Sequence, residues 1–255
     1  MRITVCELPA DPARLDPAWD GLVEHTAAHR PDLVVLPEMP FYAWLAASSV
    51  VDAHRWFAAV AAHEEWLPRL ADLGAATVVA TRPAMIGDGP RNEAFAWTPT
   101  GYLFLHHKRH LPDEDGFWEA SWYERGPSEF VAVDTPAGRL GAMVCTEIWF
   151  TDHARSYARQ GVDVVVSPRA TPWSSRGRWL VGGRAAAIMA GAFCASSNRS
   201  GTGEDAMRWA GTGWVIDPEG DVLATTDGDN PYATIEVDLA AAEAAKSTYP
   251  RYVEE

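Results

Sequence analysis

Three side chains that can perform covalent chemistry lie just beyond strand-like segments of the sequence. Glu38, Lys108 and Cys145 each come within two residues of the end of such a segment. The segments are residues 33–36, 102–106 and 140–144. Ligand chemistry in sheets with helical crossovers gathers at the carboxyl ends of the strands. We therefore expect an acid, an ammonium group and a thiol to converge on one spot.

Together, these three side chains can supply a nucleophile, a general base and a stabilising cation for one reaction. A free thiol has a pKa of about 8.5 and reacts as the thiolate. Glu38 can remove the thiol proton as a general base. Lys108 can balance the negative charge and stabilise a developing oxyanion, together with a backbone N–H just after Cys145. The sequence also predicts a helix after Cys145, and the dipole at its N-terminus favours a thiolate.

Each residue taken alone has a simpler explanation. A lone cysteine at a strand end is more often a small buried hydrophobe. A glutamate after a proline at a strand end is often a helix-start or surface acid. The hypothesis therefore depends on the joint occurrence of the three residues.

Nearly all basic residues of the chain are arginine rather than lysine. Of 21 lysines and arginines, only Lys108 and Lys246 are lysine. A surface cation in this protein is therefore nearly always arginine. A lysine at position 108 indicates a place where a compact ammonium suits better than the broad guanidinium fork.

Composition excludes some classes of function. The 255 residues carry a formal net charge of −14, which argues against a general nucleic-acid binder. No apolar run reaches the roughly 18 residues that cross a bilayer, so we expect no membrane association. Cysteines 6, 145 and 194 cannot form a disulfide framework, and no signal-peptide core precedes the first strand. We expect a cytoplasmic location.

Strand-like and helix-like segments alternate along the chain. Strands are predicted at residues 2–6, 33–36, 77–81, 93–97, 102–106, 129–133, 140–144, 162–166, 192–196, 213–216, 221–224 and 232–237. Helices are predicted at 16–30, 51–65, 68–74, 152–160 and 179–190, with a short one near the C-terminus. This order predicts an α/β fold with a mixed sheet, in a single domain over residues 1–255. The stretch 201–211 is the most loop-like and is too short to separate domains.

Several familiar motifs are absent from the sequence. There is no Gly-x-Gly-x-x-Gly after a strand, no Walker-type loop and no Gly-x-Ser-x-Gly elbow. His106, His107 and His110 suggest a metal site at first sight. Neighbouring positions of a strand point to opposite faces, so His106 and His107 are poorly placed to share one ion. We predict no metal site.

Blocks of residues in a fixed order carry a family resemblance. They are an apolar strand ending in Pro-Glu at 33–38, Lys-Arg-His-Leu-Pro with an acidic-Gly-Phe stretch at 108–117, strand–Cys–helix at 141–150, Asn-Arg-Ser-Gly at 198–201 and an Asp-Pro-Glu-Gly hairpin at 211–220. This set, which spans nearly the whole chain, resembles the nitrilase superfamily of carbon–nitrogen hydrolases. The resemblance implies a four-layer α-β-β-α sandwich and an assembly of at least a dimer. It implies no metal or organic cofactor.

The resemblance also assigns roles to the residues. It implies that Glu38 is the general base, Lys108 the oxyanion stabiliser and Cys145 the nucleophile, with the Thr146 N–H as a second oxyanion donor. The reaction implied is hydrolysis of a non-peptide C–N bond in a small amide or N-carbamoyl compound through a thioester on Cys145.

Many members of the superfamily have a second glutamate between the lysine and the cysteine. Residues 119–126 are similar to the family's Glu-x-x-Tyr-Phe-x-x-Gly pattern, which indicates Glu119. Glu114 and Glu124 compete with it. A solvated loop acid is the simpler explanation for each competitor.

Substrate contacts are less constrained by the sequence. Trp118, Trp149 and Trp173 are candidate pocket walls, which indicates a partly apolar substrate. Glu147 stands where the family usually has Asp and is a candidate for the same pocket. Arg169 replaces part of the family's Tyr-Pro-Thr-Ala stretch, and it can meet a substrate carboxylate or pair with Glu147.

The branch closest in motif is the N-carbamoylputrescine amidases, with the aliphatic amidases near it. The paired arginines that carbamoyl-amino-acid hydrolases place after the cysteine are absent, which disfavours a carbamoyl-amino-acid substrate. Two other functions stay open at this point. One is an acyltransferase that passes the acyl group to a nucleophile other than water. The other is a catalytically silent protein that binds a small molecule.

Overall fold

The structure is a computed structural model that describes residues 1–87, 89–204 and 206–253. Its strands are β1 Arg2–Pro9, β2 Leu33–Val35, β3 Thr77–Ile86, β4 Gly89–Thr98, β5 Gly101–His107, β6 Val133–Thr135, β7 Gly138–Ala142, β8 Val164–Arg169, β9 Phe193–Thr202, β10 Arg208–Ala210, β11 Trp214–Ile216, β12 Val222–Thr225 and β13 Tyr232–Glu236. Its α-helices are α1 Leu15–His29, α2 Ala53–Trp66, α3 Glu119–Trp122, α4 Thr151–Arg159, α5 Arg176–Ala190 and α6 Ala240–Ala245. Shorter 3-10 helices lie at Pro12–Arg14, Leu45–Ala47, Leu67–Leu73, Cys145–Trp149 and Trp173–Ser175.

Strand β1 joins two halves of the sheet. Residues 3–5 pair in parallel with β2, while residues 7–9 pair in parallel with β9. One half therefore runs β5-β4-β3-β2-β1, and the other runs β1-β9-β8-β7-β6. The inner strands β2 and β8 are buried along their whole length, as expected for apolar runs with both faces covered.

The two halves stack face to face. Ile3, Val35 and Val79 of the first half share one buried cluster with Leu140 and Val166 of the second. Helix α1 and the 3-10 helix Leu67–Leu73 cover the outer face of the first half. Helices α4 and α5 cover the outer face of the second half. The layers follow the order α-β-β-α, which confirms the predicted four-layer sandwich.

Two glycines of helix α5 allow it to pack closely against β11 and the 3-10 helix Cys145–Trp149. A Cβ on Gly183 would lie 2.8 Å from Trp214 Nε1, and one on Gly182 would lie 3.2 Å from Ile148. Larger residues at either position would push the helix outward. Gly182 therefore brings the second turn of α5 next to Ile148 and Trp149, in the segment that follows Cys145.

One predicted strand is wrong. Residues 129–132 are irregular, and only Val133 of that prediction belongs to β6. The side chain of Gln160 accepts from the Ala132 N–H at 2.8 Å and donates to the Phe130 carbonyl at 2.8 Å. It thereby takes backbone groups that a neighbouring strand would bond. The loop predicted at 201–211 is also partly strand, since β9 extends to Thr202 and β10 pairs with it, while Asp205 lies outside the described residues.

Within the described residues, no helix is both long enough and apolar enough to cross a bilayer.

Candidate active site

Strand ends from both halves of the sandwich bring the three predicted side chains together. Lys108 follows β5 directly, and its N–H donates to the Asn92 carbonyl of β4 at 2.9 Å. Glu38 lies three residues beyond β2, and its N–H donates to the Arg169 carbonyl at the end of β8 at 3.1 Å. Cys145 lies three residues beyond β7. The predicted convergence at the carboxyl ends of strands is what the structure shows.

Lys108 lies at the centre of a buried charge cluster. Its Nζ is 2.7 Å from Glu38 Oε1 and 2.7 Å from both carboxylate oxygens of Glu119. All three side chains are at most 1% exposed. Glu124 instead pairs with Arg91 at the surface, and Glu114 lies exposed at the cavity rim. Of the three candidate second acids, Glu119 is the one that contacts Lys108.

The two oxygens of Glu38 have different environments. Oε1 accepts from Lys108 Nζ and from Asn92 Nδ2, each at 2.7 Å. Oε2 is buried and has no hydrogen-bond partner among the protein groups that the structure describes. A carboxylate held rigidly through one oxygen can offer the other to a proton, which is the arrangement a general base requires.

Charge coupling within the cluster shifts the pKa values of its members. Burial lowers the pKa of Lys108, but the carboxylates of Glu119 and Glu38 raise it more, so it lies well above the ordinary lysine value. Lys108 is therefore an ammonium at neutral pH. Burial raises the pKa of Glu119 to about 8, since the Glu38 charge adds to burial and the Lys108 charge only partly opposes them.

The nucleophile candidate sits at a sharp turn. Cys145 begins the 3-10 helix Cys145–Trp149, has φ of 50°, and is 4% exposed. A non-glycine residue with positive φ is uncommon and costs conformational energy, so the surrounding structure must hold it there. Its Sγ lies 3.8 Å from the Ala170 carbonyl.

The resting protonation state of Cys145 differs from the sequence expectation. Burial raises the pKa of its thiol, Glu38 and Glu119 raise it further, and Lys108 lowers it only partly. The helix that follows is one short 3-10 turn, so its dipole is too small to produce a thiolate. The nucleophile therefore needs a base at the moment of attack.

Glu147 holds two site segments in place. Its Oε1 accepts from the Arg109 N–H at 2.7 Å and lies 3.0 Å from His106 Nε2, while its Oε2 accepts from the Val144 N–H at 2.8 Å. It thus ties the residue after Lys108 to the residue before Cys145. Glu147 is fully buried and does not line the cavity, so the predicted substrate contact is corrected to a positioning role.

A test of this role is the substitution Glu147→Gln. We expect it to lower the free energy of unfolding by about 2 kcal/mol or more, because an amide puts an N–H against donors that need an acceptor. Urea denaturation followed by circular dichroism measures the change. Glu24→Gln, at an exposed position of α1, is the matched control. A loss of under about 0.5 kcal/mol, the usual range for surface substitutions, contradicts the role.

Arg169 bonds to neither partner expected from the sequence. Its guanidinium donates to Ser196 Oγ at 2.7 Å, Thr171 Oγ1 at 3.0 Å and the Thr212 carbonyl at 2.6 Å, and it stacks on Trp214 at 3.7 Å. It is 1% exposed, because its position on the fully buried strand β8 turns the side chain into the interior. Both predicted partners, a substrate carboxylate and Glu147, are therefore corrected.

A cavity of about 550 Å³ opens over Cys145. The lining residues are Pro112, Glu114, Asp115, Phe117, Glu119, Cys145, Thr146, Trp149, Ala170, Pro172, Ser174, Ser175, Arg178, Trp179 and Met207. Trp149 is thus a wall of the cavity, as predicted. Trp118 is not, because the neighbouring Phe117 takes that place, and Trp173 lines a different cavity. The size suits a small molecule.

Two kinds of site residue were missed from the sequence. Asn92, which donates a hydrogen bond to Glu38, lies one residue before a strand predicted to begin at residue 93. The sequence pattern therefore gave no indication that its side chain points into the site. Trp179 and Arg178 come from the first turn of α5, which begins at Arg176 rather than the predicted 179. The Trp173-Ser174-Ser175 run before α5 was the available signal for this earlier start.

The histidines after β5 go to separate partners. His106 faces Glu147, His107 lies 3.3 Å from Glu93, and His110 lies 2.8 Å from His153 between their Nε2 atoms. In the part of the chain that the structure describes, no group of three or more metal-ligating side chains is arranged around a common point.

Comparison with known proteins decides the family. A sequence model of the carbon–nitrogen hydrolases matches residues 2–247. The chain belongs to this family. The resemblance carried by the ordered motifs is thereby confirmed. Because the match covers nearly the whole chain, it includes the segments that carry Glu38, Lys108 and Cys145.

Individual relatives agree with this assignment. A hydrolase from Schizosaccharomyces pombe is 31% identical over 173 residues, covering 64% of this chain and 52% of the relative. N-carbamoylputrescine amidase from Arabidopsis thaliana is 26% identical over 141 residues, covering 49% and 46%. The chain spans about half the length of the curated relatives it matches. A crystal structure of a carbon–nitrogen hydrolase from Helicobacter pylori shares the fold, with a TM-score of 0.85, 22% identity and coverage of 99% and 94%.

Proposed function

We propose that this protein is a thiol-dependent hydrolase that cleaves a non-peptide C–N bond in a small amide or N-carbamoyl compound. The observation that carries the proposal is the buried carboxylate of Glu38, whose free oxygen lies in the same charge cluster as Lys108 and acts electrostatically on Cys145. Glu38 supplies a base and Lys108 a cation, and both are joined to Glu119, which lines the same cavity as the nucleophile Cys145.

In the first half of the reaction, Glu38 accepts the Cys145 proton as the sulfur attacks the carbonyl carbon. The carbonyl oxygen gains the negative charge and is held by the Lys108 ammonium and the Thr146 N–H, which lies in the first turn of a helix and so has no intrahelical acceptor. Collapse of the tetrahedral intermediate breaks the C–N bond. The leaving ammonia or amine takes the proton that Glu38 holds, and a thioester remains on Cys145.

In the second half, water replaces the amine. Glu38 accepts a proton from the water as its oxygen attacks the thioester carbonyl. The C–S bond breaks, the sulfur recovers the proton, and the carboxylic or carbamic acid leaves. Glu119 keeps Lys108 in place throughout, through contacts of 2.7 Å. The relatives named amidase support water as the acceptor, and the complete cluster disfavours a silent protein.

The remaining expectations about this protein's setting stay predictions. They are a homodimer or larger homo-oligomer, which sedimentation velocity measures, and a cytoplasmic location.

The reaction type is tested by product analysis. We expect the purified protein to release ammonia and free acid from small amides, or ammonia, carbon dioxide and the amine from ureido compounds. With hydroxylamine added, we expect the hydroxamate or the hydroxyurea, respectively, because a thioester reacts with either nucleophile. Mass spectrometry of the products measures both. Free acid in the absence of an added acceptor separates a hydrolase from an acyltransferase. Products formed only with an acceptor, or none from a broad amide panel, contradict the proposal.

A further inference from the structure

Charged side chains line the candidate catalytic cavity without serving the charge cluster. They are Glu114, Asp115 and Arg178. Within the described residues, these side chains make no ion pair or hydrogen bond, whereas the other lining acid, Glu119, is held by Lys108. A few placed polar groups in a mostly apolar pocket commonly orient the ligand. These three residues are therefore candidates for binding the part of the substrate that is remote from the scissile bond.

The acidic loop is held in a defined shape. Glu114 and Phe117 exchange backbone hydrogen bonds of 2.8 Å and 3.4 Å. The Gly116 carbonyl between them accepts from Trp44 Nε1 at 3.0 Å, and the Trp118 N–H donates to the Ala46 carbonyl at 2.8 Å. The carboxylates of Glu114 and Asp115 are thus presented from a fixed backbone. Placed carboxylates on this wall suit an ammonium group.

Arg178 differs from two nearby arginines in its contacts and in lining the cavity. Arg176 and Arg208 both stack on Trp173, with guanidinium carbons 4.2 Å and 3.9 Å from the ring centre. Neither lines the cavity over Cys145. Arg178, in the first turn of α5, has no such partner within the described residues and lines the cavity over Cys145. A guanidinium suits a carboxylate because it offers a planar fork of donors.

The other walls of the cavity are largely apolar. Phe117, Trp149, Trp179 and Met207 contribute to the lining. Trp179 is fixed by its Nε1–H, which donates to Ser175 Oγ at 2.9 Å, and its ring lies 5.5 Å from that of Trp149. These walls suit a short methylene chain.

We propose that the substrate is the ω-amide or ω-ureido derivative of an α-amino acid. Its amide or ureido carbon lies at Cys145 and its methylenes lie along the aromatic walls. Its ammonium group binds Glu114 and Asp115, and its carboxylate binds Arg178. This inference rests on the proposed function, since it names the substrate of the same site. The chain selects a zwitterion by offering both signs of charge in one cavity.

Two sets of compounds that share a reacting group test the proposal. For the amides they are glutamine, 4-carbamoylbutanoate without the ammonium, 4-aminobutanamide without the carboxylate, and butanamide with neither. For the ureido group they are citrulline, 5-ureidopentanoate, 4-ureidobutylamine and butylurea. Ammonia release gives kcat/KM for each. In at least one set, we expect the zwitterion to exceed each singly charged analogue by about tenfold, the effect of one charge-assisted hydrogen bond at a partly exposed site.

Substitutions of cavity residues test which side chains bind the carboxylate and the ammonium group of the substrate. Arg178→Met should reduce the preference for the carboxylate, measured as the ratio of kcat/KM for the zwitterion to that for the carboxylate-free analogue. The double variant Glu114→Gln, Asp115→Asn should reduce the corresponding ratio for the ammonium. Arg176→Met, in the same helical turn but outside the cavity, and Asp113→Asn, on the same loop, are matched controls that should leave both ratios unchanged.

Equal kcat/KM for all members of both sets overturns the inference, and so does no hydrolysis of glutamine and citrulline. Ratios that the two cavity variants leave unchanged overturn it as well. The proposed function survives each of these results if the neutral amide or urea is still cleaved. It fails separately if no compound with a C–N bond of this kind is cleaved.

Discussion

Replacing Cys145 by alanine is expected to lower kcat/KM by about 10⁴-fold or more, because no acyl-enzyme can then form. Alanine fits the same backbone turn as cysteine and leaves Glu38, Lys108 and Glu119 in place. Ammonia release from the best substrate of an amide and ureido panel measures the loss.

The other cysteines provide matched controls for this experiment. Cys6 and Cys194 are fully buried, and burial raises the pKa of each thiol to about 12. Neither lines the cavity, so Cys6→Ala and Cys194→Ala should keep kcat if the proteins fold, which circular dichroism checks. Substantial hydrolysis by a folded Cys145→Ala variant contradicts the assignment of the nucleophile.

Replacing Lys108 by arginine is expected to lower kcat by about 10²–10³-fold, the usual cost of removing one oxyanion donor. The substitution keeps the positive charge, so the loss of kcat reflects the shape of the cationic group rather than its charge. A guanidinium is too broad to occupy a fully buried point 2.7 Å from Glu38 and Glu119 while facing the reacting carbonyl. The effect should fall on kcat more than on KM, since the oxyanion exists only in the transition state.

Lys246 is the matched control, because it is the other lysine of the chain. Its Nζ donates to the Ala242 carbonyl at 2.9 Å, on α6 and outside the cavity. Lys246→Arg should leave kcat unchanged. A Lys108→Arg variant that folds and retains wild-type kcat contradicts the role of Lys108.

The sequence predicts the strands of the core better than the segments between them. Residues 33–36 and 140–144 are apolar runs because both faces of their strands are covered, and that signal is local. The irregular path of residues 129–132 depends on Gln160, which lies 28 residues beyond Ala132 and 30 beyond Phe130 in the sequence. A strand prediction from local pattern cannot anticipate such a bond. The order of motifs, rather than any periodicity, predicted the four layers.

The residues of the candidate site also differ in how well the sequence predicts them. Glu38, Lys108 and Cys145 were predictable because each follows a strand and strand ends converge. Glu119 could be named only through the family pattern, because its contact with Lys108 depends on the path of the loop over residues 109–118. Glu147 and Arg169 were predicted at the substrate but bond to protein groups instead, because a charged residue in sequence carries no sign of the direction in which its side chain is buried.

The most direct test of the account is the intact mass of the protein during turnover. The protein is mixed with a cleaved substrate, quenched in acid within the first turnovers and measured by mass spectrometry, with peptide mapping to locate any adduct. The account predicts a mass increase equal to the acyl group, on Cys145, that disappears as substrate is exhausted and never forms in Cys145→Ala. Rapid hydrolysis with an adduct on another residue, or with full activity in Cys145→Ala, would contradict it.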